Sequence, residues 1–253
     1  MTYQSEILTG RKSETTSKAK PHEVFARDSA RKSSSRRRVR SAFVRGAPAV
    51  ASRKKTQTGK LILIRHGHTS LNLAGEQERL RGWLDIPLDE QGLREAEQTA
   101  ARLTAYGITA IYSSDLTRAI QTSVSVSRST RAPLIPAGDL RPWNLGSFAG
   151  QLVSELIPFL DLLKSRPELP APGGESWNQF YDRYSKRLLS LMALAADSGQ
   201  TIAAVTHVRN FLAAPTVIHG GDRNKIAVRG GPKTGSAFII ERIDGKWSLT
   251  ADE

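Results

Sequence analysis

From Lys60 onward, short dense apolar runs alternate with longer stretches in which apolar residues recur at helical spacing. Leu61-Ile62-Leu63-Ile64, closed by Arg65-His66-Gly67, predicts a buried strand Lys60–Arg65 ending in a turn. Between Asp89 and Tyr106, Leu93, Ala96, Ala100 and Leu103 fall on one helical face, and Gly107 is placed to end the helix. A second strand, Ile108–Tyr112, leads into a helix reaching about Ser129, for which Ser114 or Asp115 is the expected cap. A short strand near Leu134-Ile135 follows. Glu175-Ser176 opens a long helix to about Ala196 that carries Phe180, Tyr184, Leu188 and Leu191 on one face. Thr201–Val205 is a third apolar strand, ending in Thr206-His207, and Asp244-Gly245 joins Ala237–Arg242 to Lys246–Leu249 as a hairpin.

This alternation predicts an α/β fold with three α/β/α layers, a mostly parallel sheet and an antiparallel edge. Residues 138–174 hold many Pro and Gly and predict an insertion over the strand ends, with a short helix from Val153 to Leu163 interrupted by or starting near Pro158. Trp143 and Phe148 read as core residues of that insertion, with an apolar substrate wall as the alternative.

In open α/β sheets, ligands bind at the carboxyl ends of strands. Arg65 and His66 lie there, His207 lies in the same position after the third apolar run, and Arg118 falls in the first turn of the helix after the second strand. A His can attack phosphorus, and an Arg holds phosphoryl oxygens with its planar fork. Two imidazoles and two guanidiniums at three strand ends form a phosphate box. The competing reading of Arg65-His66-Gly67 alone is a strand end that happens to be polar.

Several motifs occur in an order that resembles the histidine phosphatase superfamily, the phosphoglycerate mutase-like proteins. They are Arg65-His66-Gly67-His68-Thr69 with Asn72, Gly82-Trp83-Leu84-Asp85-Ile86-Pro87-Leu88 with Gly92, Ser113-Ser114-Asp115-Leu116-Thr117-Arg118-Ala119, Gly173-Gly174-Glu175-Ser176 and Val205-Thr206-His207. The resemblance implies His66 as nucleophile, Arg65, Arg118 and His207 as phosphoryl ligands, Asn72 as an amide donor, and neither cofactor nor metal. The implied substrate is a phosphorylated small molecule or a phosphoprotein.

Two departures qualify it. Relatives carry a Glu proton donor after "Leu-Arg"; here the stretch is Leu140-Arg141-Pro142-Trp143. General acid catalysis contributes ~10²–10⁴-fold, so alkyl phosphates are handicapped unless Asp85, Asp139 or Glu155 substitutes. Phosphohistidine and aryl phosphates need less help. A phosphoglycerate mutase-type transferase and a degraded phosphate-binding scaffold are the alternatives. After His207, Val208-Arg209-Asn210 replaces the Gly-Gly of many relatives; Arg209 reads as solvent-facing, with recognition of a substrate charge as the sharper alternative. Glu175 suits the helix dipole and could also orient a pocket Arg.

Charge separates the chain into two parts. Residues 1–60 hold 16 Lys and Arg against four acidic residues, and residues 61–253 hold 21 against 20. The net charge of +13 therefore belongs almost entirely to the tail, with +12 in residues 1–60 and +1 in residues 61–253. Residues 1–59, centred on Arg36-Arg37-Arg38, are read as a disordered basic tail, and residues 60–253 as one domain. A weak anionic partner, an organellar transit segment, and a start nearer Lys60 compete for the tail; the last needs a non-Met start codon, because no Met stands between Met1 and Met192. No apolar run is long enough to span a membrane, so a cytoplasmic location is expected. With no Cys, thiolate catalysis and Cys-ligated metals are excluded. His66 and His68 are closely spaced but lack carboxylates at ligand spacing, so His68 is read as a local hydrogen-bonding or pocket residue. Deleting residues 1–58 is expected to leave a cooperatively unfolding domain in thermal melts; loss of cooperativity would make the tail structural.

Overall fold

A computed structural model describes residues 59–73 and 77–252. The tail expectation falls on residues 1–58 and lies outside the described residues. β1 (Lys60–Arg65), β2 (Ile108–Ser113), β3 (Leu134–Pro136), β4 (Thr201–Thr206), β5 (Ala237–Ile243) and β6 (Lys246–Ala251) form one sheet in the order β3-β2-β4-β1-β5-β6. β3, β2, β4 and β1 are parallel; β5 and β6 form the antiparallel edge. The Asp244-Gly245 turn has positive φ at both residues, 49° and 80°, which fits the twist of a two-residue hairpin.

Side chains alternate across the sheet and separate two cores. Ile62, Ile64, Ala203 and Val205 pack on one face with α1 (Glu90–Leu103) and α2 (Thr117–Thr130) through Ala100, Leu103, Ala119 and Val126. Leu61, Leu63, Ile202 and Ala204 pack on the other with α4 (Trp177–Ser198) and α5 (Val208–His219) through Phe180, Tyr184, Leu188 and Phe211. The four central positions of β1, 61–64, and of β4, 202–205, are therefore all apolar between two helical layers.

The expected elements are present, with three corrections. Leu93 is exposed, and Gly92 and Thr99 are buried on α1 instead. Gly92 replaces a side chain there because the loop after His66 crosses the helix at that point. α3 (Val153–Ser165) runs through Pro158. Neither Ser114 nor Asp115 caps α2. Its first amide, on Thr117, donates to Asp85 Oδ1 at 2.7 Å, from a loop 32 residues away. Ser176 caps α4 with a reciprocal bond from its N3 residue, Gln179. No helix among the described residues is long and apolar enough to cross a membrane.

The parallel register sets Arg65 beside Thr206, and Ser113 beside Val205. His66, Ser114 and His207, the next residues on their strands, consequently emerge together. The loop they share with α1 is tightly packed. A Cβ on Gly92 would overlap the His68 carbonyl, and one on Gly67 would overlap the Gly92 carbonyl. Gly92→Ala should destabilise the domain by roughly 1–3 kcal/mol and displace the His66 loop. A lowered melting temperature together with lost turnover is expected; unchanged values of both would show that the loop is not held by this contact.

Candidate active site

His66 is 2 % exposed at the end of β1, and its main-chain N–H donates to the Thr206 carbonyl at 3.0 Å. Its Nδ1 lies 2.7 Å from the Gly67 carbonyl oxygen. A carbonyl can only accept, so Nδ1 carries the proton and the lone pair is on Nε2. Burial, then the nearby Arg118 and Arg65 guanidiniums, depress the His66 pKa well below 6.5. The ring is thus neutral, with its lone pair on Nε2. The next turn fixes it further. Gly67 N–H donates to Thr122 Oγ1, His68 N–H to Glu95 Oε2, and His68 Nδ1 lies 2.6 Å from Asp89 Oδ2. His68 is a bracing residue and not a pocket residue.

His207 lies with its ring 5.0 Å from that of His66 and its Nε2 2.8 Å from Ser114 Oγ. Its pKa is also well below 6.5, from burial and then Arg118. Arg118, 1 % exposed, donates Nη1 to the Leu84 carbonyl at 2.7 Å and Nη2 to the Gly82 carbonyl at 2.9 Å. Arg65 donates to the Pro232 carbonyl. Burial lowers the Arg118 pKa to about 9 and that of Arg65 to about 10, so both remain cationic at neutral pH. Arg65 Nε, Arg118 Nε and His207 Nδ1 are buried without hydrogen-bond partners. An unsatisfied buried donor costs ~1–3 kcal/mol; Arg118 and His207 line one cavity with His66, whereas Arg65 is not on its wall.

His66, Arg118 and His207 line a cavity of about 560 Å³, walled also by Pro142, Trp143 and α3. The insertion therefore covers the site as expected. Trp143 serves both readings, since it is 1 % exposed in the core, edge-on to Trp177, and also reaches the cavity. Phe148 packs on Phe159 and does not line the cavity.

Other expected roles fall elsewhere. Asn72 is not on the cavity wall; its Oδ1 accepts from Thr69 N and Thr69 Oγ1 at 3.0 and 2.8 Å and holds the turn. Arg209 does not point to bulk solvent. It lines the cavity, with Nη1 and Nη2 fixed by the Ala227 and Val228 carbonyls, and burial lowers its pKa to about 10. Asn210 turns into the core and donates to the Leu140 carbonyl. Of the substitute acids, Asp85 caps α2, Asp139 pairs with Arg187 at 2.6 Å, and Glu155 is exposed away from the cavity. Glu175 orients Arg183, at 2.6 Å, and Arg183 clamps the carbonyls of residues 139, 141 and 142 behind the wall.

Sequence reasoning missed Glu78, Arg79, Arg81 and Arg229, all on the cavity wall. Arg81 is held by the Leu71 carbonyl at 2.9 Å and by Glu78 at 3.3 Å. The available signal was the basic pair Arg79 and Arg81 directly before Gly82-Trp83.

Both imidazoles protonate more readily in the unfolded chain, so their contribution to stability is complete above pH 6.5 and falls as pH drops below it. The melting temperature should decline below pH 6.5, and less steeply in His66→Ala; equal slopes would contradict the depressed pKa. Ser114→Ala removes the His207 partner and should cost roughly 1–3 kcal/mol of stability, read by denaturant unfolding.

A sequence profile of the histidine phosphatase superfamily (branch 1) matches residues 61–251. The chain is 33% identical over 144 residues to the "Probable phosphoglycerate mutase GpmB" of Proteus mirabilis, across 55% of this chain and 66% of that protein. It is 31% identical over 161 residues to a metal-independent phosphoserine phosphatase of Arabidopsis thaliana, across 60% of this chain and 66% of that protein. The chain thus spans about two thirds of the length of these relatives. Among solved structures, a mycobacterial glucosyl-3-phosphoglycerate phosphatase in complex with VO3 aligns with a TM-score of 0.64 at 26% identity, over 76% of this chain and 98% of that one.

Proposed function

The chain belongs to the histidine phosphatase superfamily, and we propose that it hydrolyses a phosphomonoester or phosphohistidine through a phospho-His66 intermediate, without a metal. The observation that carries this reading is the His66 tautomer. With Nδ1–H donated to Gly67, the Nε2 lone pair is free, in a cavity where Arg118 Nε and His207 Nδ1 are buried without partners. Relatives and structural neighbours named as phosphatases and as mutases support phosphoryl chemistry in general.

In the first half-reaction Nε2 attacks phosphorus, and the P–O electron pair leaves with the departing oxygen. Arg65, Arg118 and His207 Nδ1 hold the equatorial oxygens, on which negative charge spreads in the transition state. Their positions are fixed before substrate arrives, so little reorganisation is needed. In the second, water attacks phosphorus, the P–N electron pair returns to Nε2, and phosphate departs. Pro142 in the wall weighs against a mutase-type transfer, which is carried by relatives' names alone. A binding-only module would hold phosphate without turnover.

The test is steady-state hydrolysis of p-nitrophenyl phosphate, whose phenolate leaves without an acid. Wild type should turn it over, and His66→Ala should reduce kcat/KM by more than ~10³-fold. Persisting activity in the variant would remove His66 as nucleophile. A folded but inactive wild type would favour the binding-only reading.

A further inference from the structure

Arg65, Arg118 and His207 account for one phosphoryl group, yet the cavity carries more positive charge than that group needs. Arg79, Arg81, Arg209 and Arg229 stand on the same wall, and Glu78 is the single carboxylate lining it among the described residues. Glu78 Oε1 accepts from Arg81 Nη2 at 3.3 Å, so the one carboxylate of the lining is paired with one of its guanidiniums. A departing oxygen in this cavity therefore meets an excess of guanidiniums and a single carboxylate already paired with one of them. An alkoxide is too basic to leave that way. A phosphate leaves without a proton, and its charge is what guanidiniums hold best.

We propose that the substrate is a phosphoanhydride, in which the terminal phosphoryl of a di- or polyphosphate passes to His66 and the leaving group is itself a phosphate held by Arg81 and Arg209. The inference rests on the phospho-His66 reading above and moves its substrate from a monoester or phosphohistidine to an anhydride. His66 Nε2 bonds to the terminal phosphorus, the bridging P–O bond breaks, and its electron pair stays on the bridging oxygen, which departs as an anion. Water then cleaves the P–N bond, giving inorganic phosphate, a regenerated His66 and a proton released to solvent. No oxidant, metal or second substrate enters the balance.

The two arginines suit the task by position. Arg209 follows His207 by two residues, and its two carbonyl bonds, at 2.7 and 2.8 Å, leave three of five N–H donors for a ligand. Arg81 is fixed by Leu71, and its charge acts on His66, Arg118 and His207 on one side and on Arg209 on the other. A cavity of about 560 Å³ exceeds the needs of one phosphoryl group. Its apolar side, Leu80, Leu145, Val153 and Ile157, offers a surface to a nucleoside. Phosphohistidine and aryl phosphates also have good leaving groups, but neither uses the extra cations.

The experiment measures kcat/KM of the full chain in EDTA for tripolyphosphate, ADP, p-nitrophenyl phosphate and glycerol 3-phosphate, with wild type, Arg209→Gln and Arg229→Gln. At least one anhydride should exceed glycerol 3-phosphate by ~100-fold or more, the scale of a missing general acid. Arg209→Gln should lower the ratio of anhydride to p-nitrophenyl phosphate about tenfold, as expected for a lost charge-assisted contact. Arg229, exposed at the cavity wall, gives a second variant with little folding risk, and its ratio should fall in the same direction. A tripolyphosphate preference points to inorganic polyphosphate and an ADP preference to nucleotides; either supports the proposal. Turnover of p-nitrophenyl phosphate with anhydrides no faster than glycerol 3-phosphate overturns this inference alone. A ratio unchanged in both variants does the same, leaving Arg209 as a clamp for residues 227 and 228. No turnover of any phosphate removes the phospho-His66 reading and this inference with it.

Discussion

Two guanidiniums buried against main-chain carbonyls, without a carboxylate partner, are the constraint on which this site depends. Neither Arg65 nor Arg118 forms an ion pair among the described residues, and both bond to carbonyls of distant loops. An intimate carboxylate would neutralise them before a substrate arrived. Carbonyls hold the fork in place and leave the charge available. The cost is desolvation, which lowers both pKa values but leaves both groups charged. Burial first, and then the same charges, keep His66 unprotonated, so one arrangement sets buried cations beside a neutral imidazole.

The fold delivers these groups by register and then fastens them by close packing. Three adjacent parallel strands end within one residue of each other, which brings His66, Ser114 and His207 to one edge. Asp85 reaches across to cap α2, and the loop carrying Asp85 also supplies the carbonyls that grip Arg118. The cap, the clamp and the buried Arg118 cation are therefore one assembly. The Gly67–Gly92 contact and the bonds from His68 to Asp89 and Glu95 fasten the other side.

The parts legible in the sequence were those fixed by local pattern. β1, the long helix α4 and the hairpin followed from apolar runs, periodicity and Asp244-Gly245, and the strand-end positions of Arg65, His66, Arg118 and His207 followed from them. What escaped depends on contacts distant in sequence. Nothing local says that Asp85 caps a helix starting at Thr117, or that the buried side of α1 shifts from Leu93 to Gly92 because a loop crosses there. Asn72 has the right residue type for an amide donor, but it is off the cavity wall and its oxygen accepts two hydrogen bonds from Thr69, three residues earlier. Arg209 was read as surface because helix starts usually face water, whereas the loop at residues 227 and 228 folds over it. Glu78 and Arg81 lie beside a motif whose recognisable part begins at Gly82, so their place on the cavity wall became visible only in three dimensions.

A neutral imidazole, buried cations and a lining short of proton donors are the features on which the proposed phosphoryl transfer, with leaving groups that depart as anions, rests. The central claim is that the phosphoryl group rests covalently on His66 between the two half-reactions. The most direct measurement is rapid quench of the full chain with a ³²P-labelled phosphoryl donor, followed by peptide mapping of the labelled protein. The account predicts acid-labile, base-stable label on the peptide containing His66, absent in His66→Ala. Label that survives acid on a Ser114 peptide, or turnover with no trapped label at any quench time, would contradict it.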